Sequence, residues 1–117
     1  LTLLLMPFGL SAQCKKDPGQ NGNFTWDFAV IDQPKISGFR LYSSVIQSGP
    51  FNNLAGSTTV VTARAMTAPV NFATGTIKTF YVVRPYFTSG GGTVEAPDSN
   101  SVECEMRVPS ATNLQAF

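Results

Sequence analysis

Histidine is absent from the 117-residue chain, which removes the commonest metal ligand and the commonest general base at once. Charge is scarce and balanced, with eight basic and seven acidic side chains and a net charge of +1. The only adjacent cations are Lys15 and Lys16, so no basic footprint for nucleic acid exists and none is expected as a partner. The low charge comes with 43% hydrophobic residues, a combination that excludes disorder. The length suits one domain. Cysteine is reduced to Cys14 and Cys104. Helix signals are nearly missing too: past residue 20, no stretch sustains apolar residues at spacings of three and four over a dozen positions.

What is present begins with the apolar segment LTLLLMPFGLSA, residues 1–12. It carries no charge and ends in small residues, the pattern of a signal-peptide core and cleavage site. It is shorter than the roughly 20 residues that span a bilayer. We expect residues 1–12 to be a signal peptide cleaved after Ala12; the alternative is a hydrophobic strand of the mature fold. Export places the protein in a secreted, periplasmic or extracellular-surface location, with no integral membrane segment in the mature form. An oxidising compartment permits a Cys14–Cys104 disulfide. The rival for Cys14, lipidation, fits poorly, because Gln13 stands where a lipobox wants a small residue and Cys104 would be left alone.

Strand signals are frequent. In NFTWDF (23–28), Phe24, Trp26 and Phe28 share a face; in SGFRLYSS (37–44), Phe39 and Leu41 oppose Arg40 and Tyr42. STTVVTARAM (57–66) is rich in β-branched residues, and KTFYVVRPYF (78–87) is the strongest strand. SVECEMRV (101–108) sets Val102, Cys104, Met106 and Val108 against Glu103, Glu105 and Arg107. Turn phrases separate them: DPGQNGN, DQPK, QSGPFNN, FATGT, TSGGGT and APDSN. The sequence leaves the layout of strands between Ser57 and Gly75 open. Pro85 cannot donate to a ladder, so it predicts a bulge or the last paired residue. Together these features predict an all-β, two-sheet antiparallel sandwich of about seven strands.

From Asn23 to about Val108 the phrases, in their order, resemble a fibronectin type III domain of bacterial or phage type. Trp26 is similar to the family's strand-B tryptophan, and ISGFRLYSS to its strand-C phrase. GPFNNLAG resembles the turn of bacterial members, and GTIKTFYVVRPYFTSGGG resembles strand F with its glycine-rich turn. EAPDSNSVECEM is similar to the approach to strand G. The resemblance implies residues 13–108 as the domain and 109–117 as a tail or linker, with VPSATNLQAF looking like a link into a following repeat. The usual proline-led apolar strand A is missing before strand B, where QCKKDPGQNG stands. Family usage implies a non-enzymatic module for adhesion, recognition or spacing.

In that fold the core would hold Phe24, Trp26, Phe28, Phe39, Leu41, Tyr81, Val83, Val102 and Met106. The opposite face of strands C, F and G would expose Arg40, Tyr42, Arg84, Tyr86, Glu103, Glu105 and Arg107. Arginine and tyrosine are enriched at interface hot spots, which makes this a candidate binding face for a protein or a cell-surface glycan. The plainer reading is a solvated ladder of charge pairs, and on either reading replacing Arg84 and Tyr86 should leave stability nearly unchanged. No nucleophile–base pair can be assembled. Glu103 and Glu105 share a face but project from an open sheet, so no enzyme is expected. Glu95, Asp98 and Asn100 read as a polar turn rather than a calcium loop, and SGGGT lacks the lysine and helix of a phosphate loop. No cofactor and no metal is expected. The alternative function is a structural subunit of an extracellular or virion assembly, whose apolar terminal segment adds a strand to a neighbour, giving a homo- or hetero-assembly.

Overall fold

Phe39 and Leu41 alternate with Arg40 and Tyr42, and that period of two builds the central strand and decides its faces. The computed structural model describes residues 14–117; the expected signal peptide, residues 1–12, lies outside them. The strands are β1 (Lys15–Lys16), β2 (Asn21–Thr25), β3 (Gly38–Ser44), β4 (Asn53–Thr58), β5 (Ala65–Pro69), β6 (Lys78–Ser89), β7 (Gly92–Glu95) and β8 (Val102–Met106). A 3₁₀ turn, Val30–Lys35, links β2 to β3. The chain is all-β. A curled sheet runs β1-β8-β6-β3-β4, with β7 also on β6, and a small second sheet pairs β2 with β5. No helix among the described residues is long and apolar enough to cross a membrane.

The two sheets bury one cluster between them. Phe24, Ala68 and Val70 come from the small sheet and its end; Leu41, Tyr81 and Cys104 come from the large one. Phe24 and Tyr81 lie 4.6 Å apart at their ring centroids. Phe39, fully buried, meets Trp26 at 5.1 Å and Phe28 edge-on at 5.3 Å. Burying each such side chain contributes roughly 1.5–3 kcal/mol. The Cys14–Cys104 disulfide joins positions 90 residues apart. In the chain-entropy account, closing so long a loop stabilises by ~4–5 kcal/mol. It also anchors β1, which runs parallel to β8: Glu105 N–H donates to the Cys14 carbonyl, and Arg107 N–H to that of Lys16, both at 2.8 Å.

Several expectations are corrected. Pro85 neither bulges nor ends β6; it pairs in register with Phe39, and the strand continues to Ser89. Its carbonyl accepts from Ala96 N–H at 2.8 Å, so its nitrogen edge faces away from β3, toward the gap between β7 and β8 where no ladder donor is needed. The chain fills that gap with Ser99, whose hydroxyl accepts from Val83 N–H at 2.9 Å while its own N–H donates to the Val83 carbonyl at 3.2 Å. The β-branched stretch 59–64 is not a strand but the crossing from the large sheet to the small one, flanked by β4 and β5. Val60 there is exposed, and β-propensity has no force without a surface to pack on. The NFTWDF strand ends at Thr25, leaving Trp26 and Phe28 half-buried beyond it.

Arg64 pins this crossing. Its guanidinium donates to the carbonyls of Val61, Ala63 and Phe28 at 3.1, 2.8 and 3.0 Å and to Gln33 Oε1 at 2.7 Å. It also stacks over Phe28 and Phe39. One arginine thus ties the 3₁₀ turn to the crossing and closes one end of the aromatic cluster.

Candidate functional site: the outer face of the large sheet

β3 and β6 pair so that Arg40 stands directly opposite Arg84, and Tyr42 opposite Val82. Two like charges across a ladder repel unless an anion bridges them. Glu95, at the end of β7, is that anion. Arg40 Nη1 reaches Glu95 Oε2 at 2.7 Å, and Arg84 Nη1 reaches Oε1 at 3.0 Å. The Tyr42 hydroxyl donates to Oε2 as well. Arg84 has two further partners, Asp98 Oδ1 from Nε at 2.5 Å and the Phe51 carbonyl from Nη2 at 3.0 Å. The arginines also stack, Arg40 over Tyr86 at 4.3 Å and Arg84 over Tyr42 at 4.4 Å.

The electrostatics follow from these contacts. The Tyr42 hydroxyl, with Arg40 and Arg84, holds the Glu95 carboxyl below its ordinary value despite burial pulling the other way. Burial, followed by the Glu95 carboxylate, raises the Tyr42 phenol. Arg40 is raised chiefly by Glu95 and then Tyr42. For Arg84, burial works downward, but Asp98 and Glu95 outweigh it.

An apolar patch lies beneath. Phe51, carried on the loop after β3, folds onto Phe80 and Val82, with Tyr42 packed alongside. Tyr86 is 9% exposed and lies across Gly38, where any side chain would strike its hydroxyl and the Thr58 backbone. The expected solvated ladder is therefore corrected: Tyr86 is buried and Arg84 largely covered.

Of the face named from the sequence, the structure brings Arg40, Tyr42, Arg84 and Tyr86 together. It does not bring Glu103, Glu105 or Arg107 to them. Those three lie at the other end of β6, in peripheral pairs with Lys78 at 3.4 Å, Lys15 at 3.7 Å and Asp17 at 4.0 Å. The residues missed are Glu95 and Asp98, read from sequence as turn residues. The signal that could have found them is register: a hairpin closed by Gly90 and Gly91 sets Glu95 opposite Tyr86, beside both arginines. Among the described residues no cluster of three or more cysteines and carboxylates could hold a metal ion.

The inner face differs at its margin. Val102 alternates inward as expected, yet it is 45% exposed, which corrects its placement in the core. Met106 and Phe28 are half-buried. For Val102 and Phe28 the physical reason is a cleft of about 1170 Å³ between β2 and the β7–β8 gap, lined by Trp26, Phe28, Val102 and Asn100 among others. Trp26 Nε1 is buried beside it with no acceptor among the described residues.

Comparison with family models, curated proteins and solved structures finds no match.

Proposed function

We propose that the chain is a non-enzymatic, exported β-sandwich module of the fibronectin type III kind, serving recognition, adhesion or spacing in a surface or extracellular assembly. The observation that carries this reading is the pairing order. The strands that resemble C, F and G share the large sheet, and the strand that resembles B pairs elsewhere, with β5. That division of strands between two sheets is the one immunoglobulin-like sandwiches use. The disulfide supports export, since such bonds persist in oxidising compartments. Glu95, Asp98 and the Phe51 carbonyl already satisfy Arg40, Tyr42 and Arg84, which favours a stiff module over a face waiting for a ligand. A protein or surface glycan partner would then contact the loops at the sheet ends.

Intact mass of the secreted protein, with and without reductant and alkylation, tests export and pairing. The expected result is a chain beginning at Gln13 whose two thiols appear only after reduction. A mass that retains Leu1, or thiols free without reductant, overturns the export reading.

A second reading has its own observation. The edge of β2 that faces the cleft is unpaired among the described residues, as a subunit built for strand addition would present it.

A further inference from the structure

The structure points to a strand-acceptor site on the free edge of β2, and we propose that the C-terminal segment 109–117 of a second copy of this chain fills it. This rests on the second reading, assembly by strand addition, and names its acceptor and donor.

The acceptor is defined by register. Trp26 N–H donates to the Arg64 carbonyl at 3.0 Å, and Val70 N–H donates to that of Gln20 at 2.9 Å. Even-numbered positions of this strand thus turn their main chain toward β5. Asn21, Asn23 and Thr25 turn theirs the other way, to an edge that no described strand covers. An open edge of this kind is a template for another strand. The other free edges lack what lies beside this one, a cleft whose wall includes the half-exposed Trp26, Phe28 and Val102. An added strand would cover those side chains.

The donor is defined by what it leaves exposed. Residues 107–117 form no secondary structure, and 108–117 carry no charged side chain. Leu114 is 98% exposed and Phe117 wholly so. An uncharged, unpaired segment with bare apolar side chains at Leu114 and Phe117 suits an uncharged strand edge beside a cleft that shows the apolar surfaces of Trp26, Phe28 and Val102. Residues 15–20, KKDPGQ, between Cys14 and β2 offer no such side chains, and the apolar residues 1–12 are removed on the proposed export reading. Because donor and acceptor are different surfaces, the contact is head-to-tail, and it propagates unless its rotation closes a ring.

Sedimentation velocity over a concentration series, with residue-resolved amide exchange on the same samples, tests this. The unsubstituted chain is compared with Leu114→Asp/Phe117→Asp, whose unfolding midpoint should match at concentrations where both are monomeric, because both side chains are exposed in the single chain. The expected result is mass that grows with concentration, exchange at Asn21, Asn23 and Thr25 that slows in step, and loss of both in the variant. Assembly with those amides still exchanging freely overturns this acceptor while strand addition at another edge stands. A monomer at all concentrations overturns the inference, while strand addition to a different protein stands. Slow exchange at those amides in a monomer overturns the second copy as donor, since a segment of the same chain would then cover the edge.

Discussion

On the outer side of the large sheet, the Arg84 side chain is 18% exposed and Tyr86 is 9% exposed. On its inner side, Val102 is 45% exposed. The polar side is closed and part of the apolar side is open, the reverse of what residue type alone implies. Alternation along a strand decides which face a side chain takes; what covers that face decides whether water reaches it. Phe51 and Glu95 arrive from loop and hairpin to cover the outer side, whereas over Val102 and Trp26 no described strand arrives.

The widest test of the contrast replaces Arg84 and Tyr86 together by alanine. A solvated ladder would lose almost nothing. The covered face found here should lose ~3–5 kcal/mol, the range for deleting a buried aromatic, as measured by urea unfolding. A loss under about 0.5 kcal/mol, typical of surface changes, would return the face to solvent.

Glu95→Ala is the narrower cut. It removes the acceptor of three donors and leaves Arg40 facing Arg84 across the ladder. The expected loss is about 1–3 kcal/mol, the range for stranding a charge-assisted partner. Arg40→Ala in the Glu95→Ala background should recover part of it, because the remaining repulsion is relieved. Failure of the double variant to recover would mean that the two arginines are not coupled through Glu95.

Acid should reach the same group. Glu95 is held below its ordinary 4.5, so its ionised form favours the folded state. That contribution is present above 4.5 and is lost as pH falls through the lower folded value. Burial raises the phenols of Tyr42 and Tyr81 above 10.0, so their contribution is present below 10.0 and fades as pH rises through the folded values. Urea midpoints across pH should trace both limbs, and Glu95→Gln should flatten the acid one. An unchanged acid limb in Glu95→Gln would remove Glu95 from the account.

How much of this was legible depends on the range of the interaction. Phe24, Phe39, Leu41, Tyr81 and Val83 are buried as alternation implies, because a period of two is written in neighbouring residues. The Cys14–Cys104 bond was legible because two cysteines allow a single pairing. Glu95 was not, since it reaches Arg40 only through the pairing of β6 with both β3 and β7, and Arg40 lies 55 positions away. The crossing at 59–64 was misread because β-branched side chains look alike in a strand and in an exposed turn. Pro85 was misread because sequence does not say which edge of a strand a nitrogen faces.

The smallest expected effects lie on the open side, and they sharpen the contrast most. A tryptophan at full core burial would lose ~3–5 kcal/mol on truncation to alanine. Trp26 is half-buried, so Trp26→Ala should fall short of that range. Trp26→Phe keeps an aromatic partner for Phe39 and removes the orphaned Nε1–H, so lost contact and relieved desolvation oppose each other. The net change should stay within about 0.5 kcal/mol. Val102→Ala, deleting side-chain atoms that water already reaches, should stay within about 1 kcal/mol. If either change costs as much as the Arg84/Tyr86 pair, a covering segment occupies the cleft in solution. Repeating Val102→Ala in the Leu114→Asp/Phe117→Asp background would then separate the C-terminal tail from any other cover. A loss that vanishes there belongs to the tail, and one that persists belongs to a different segment.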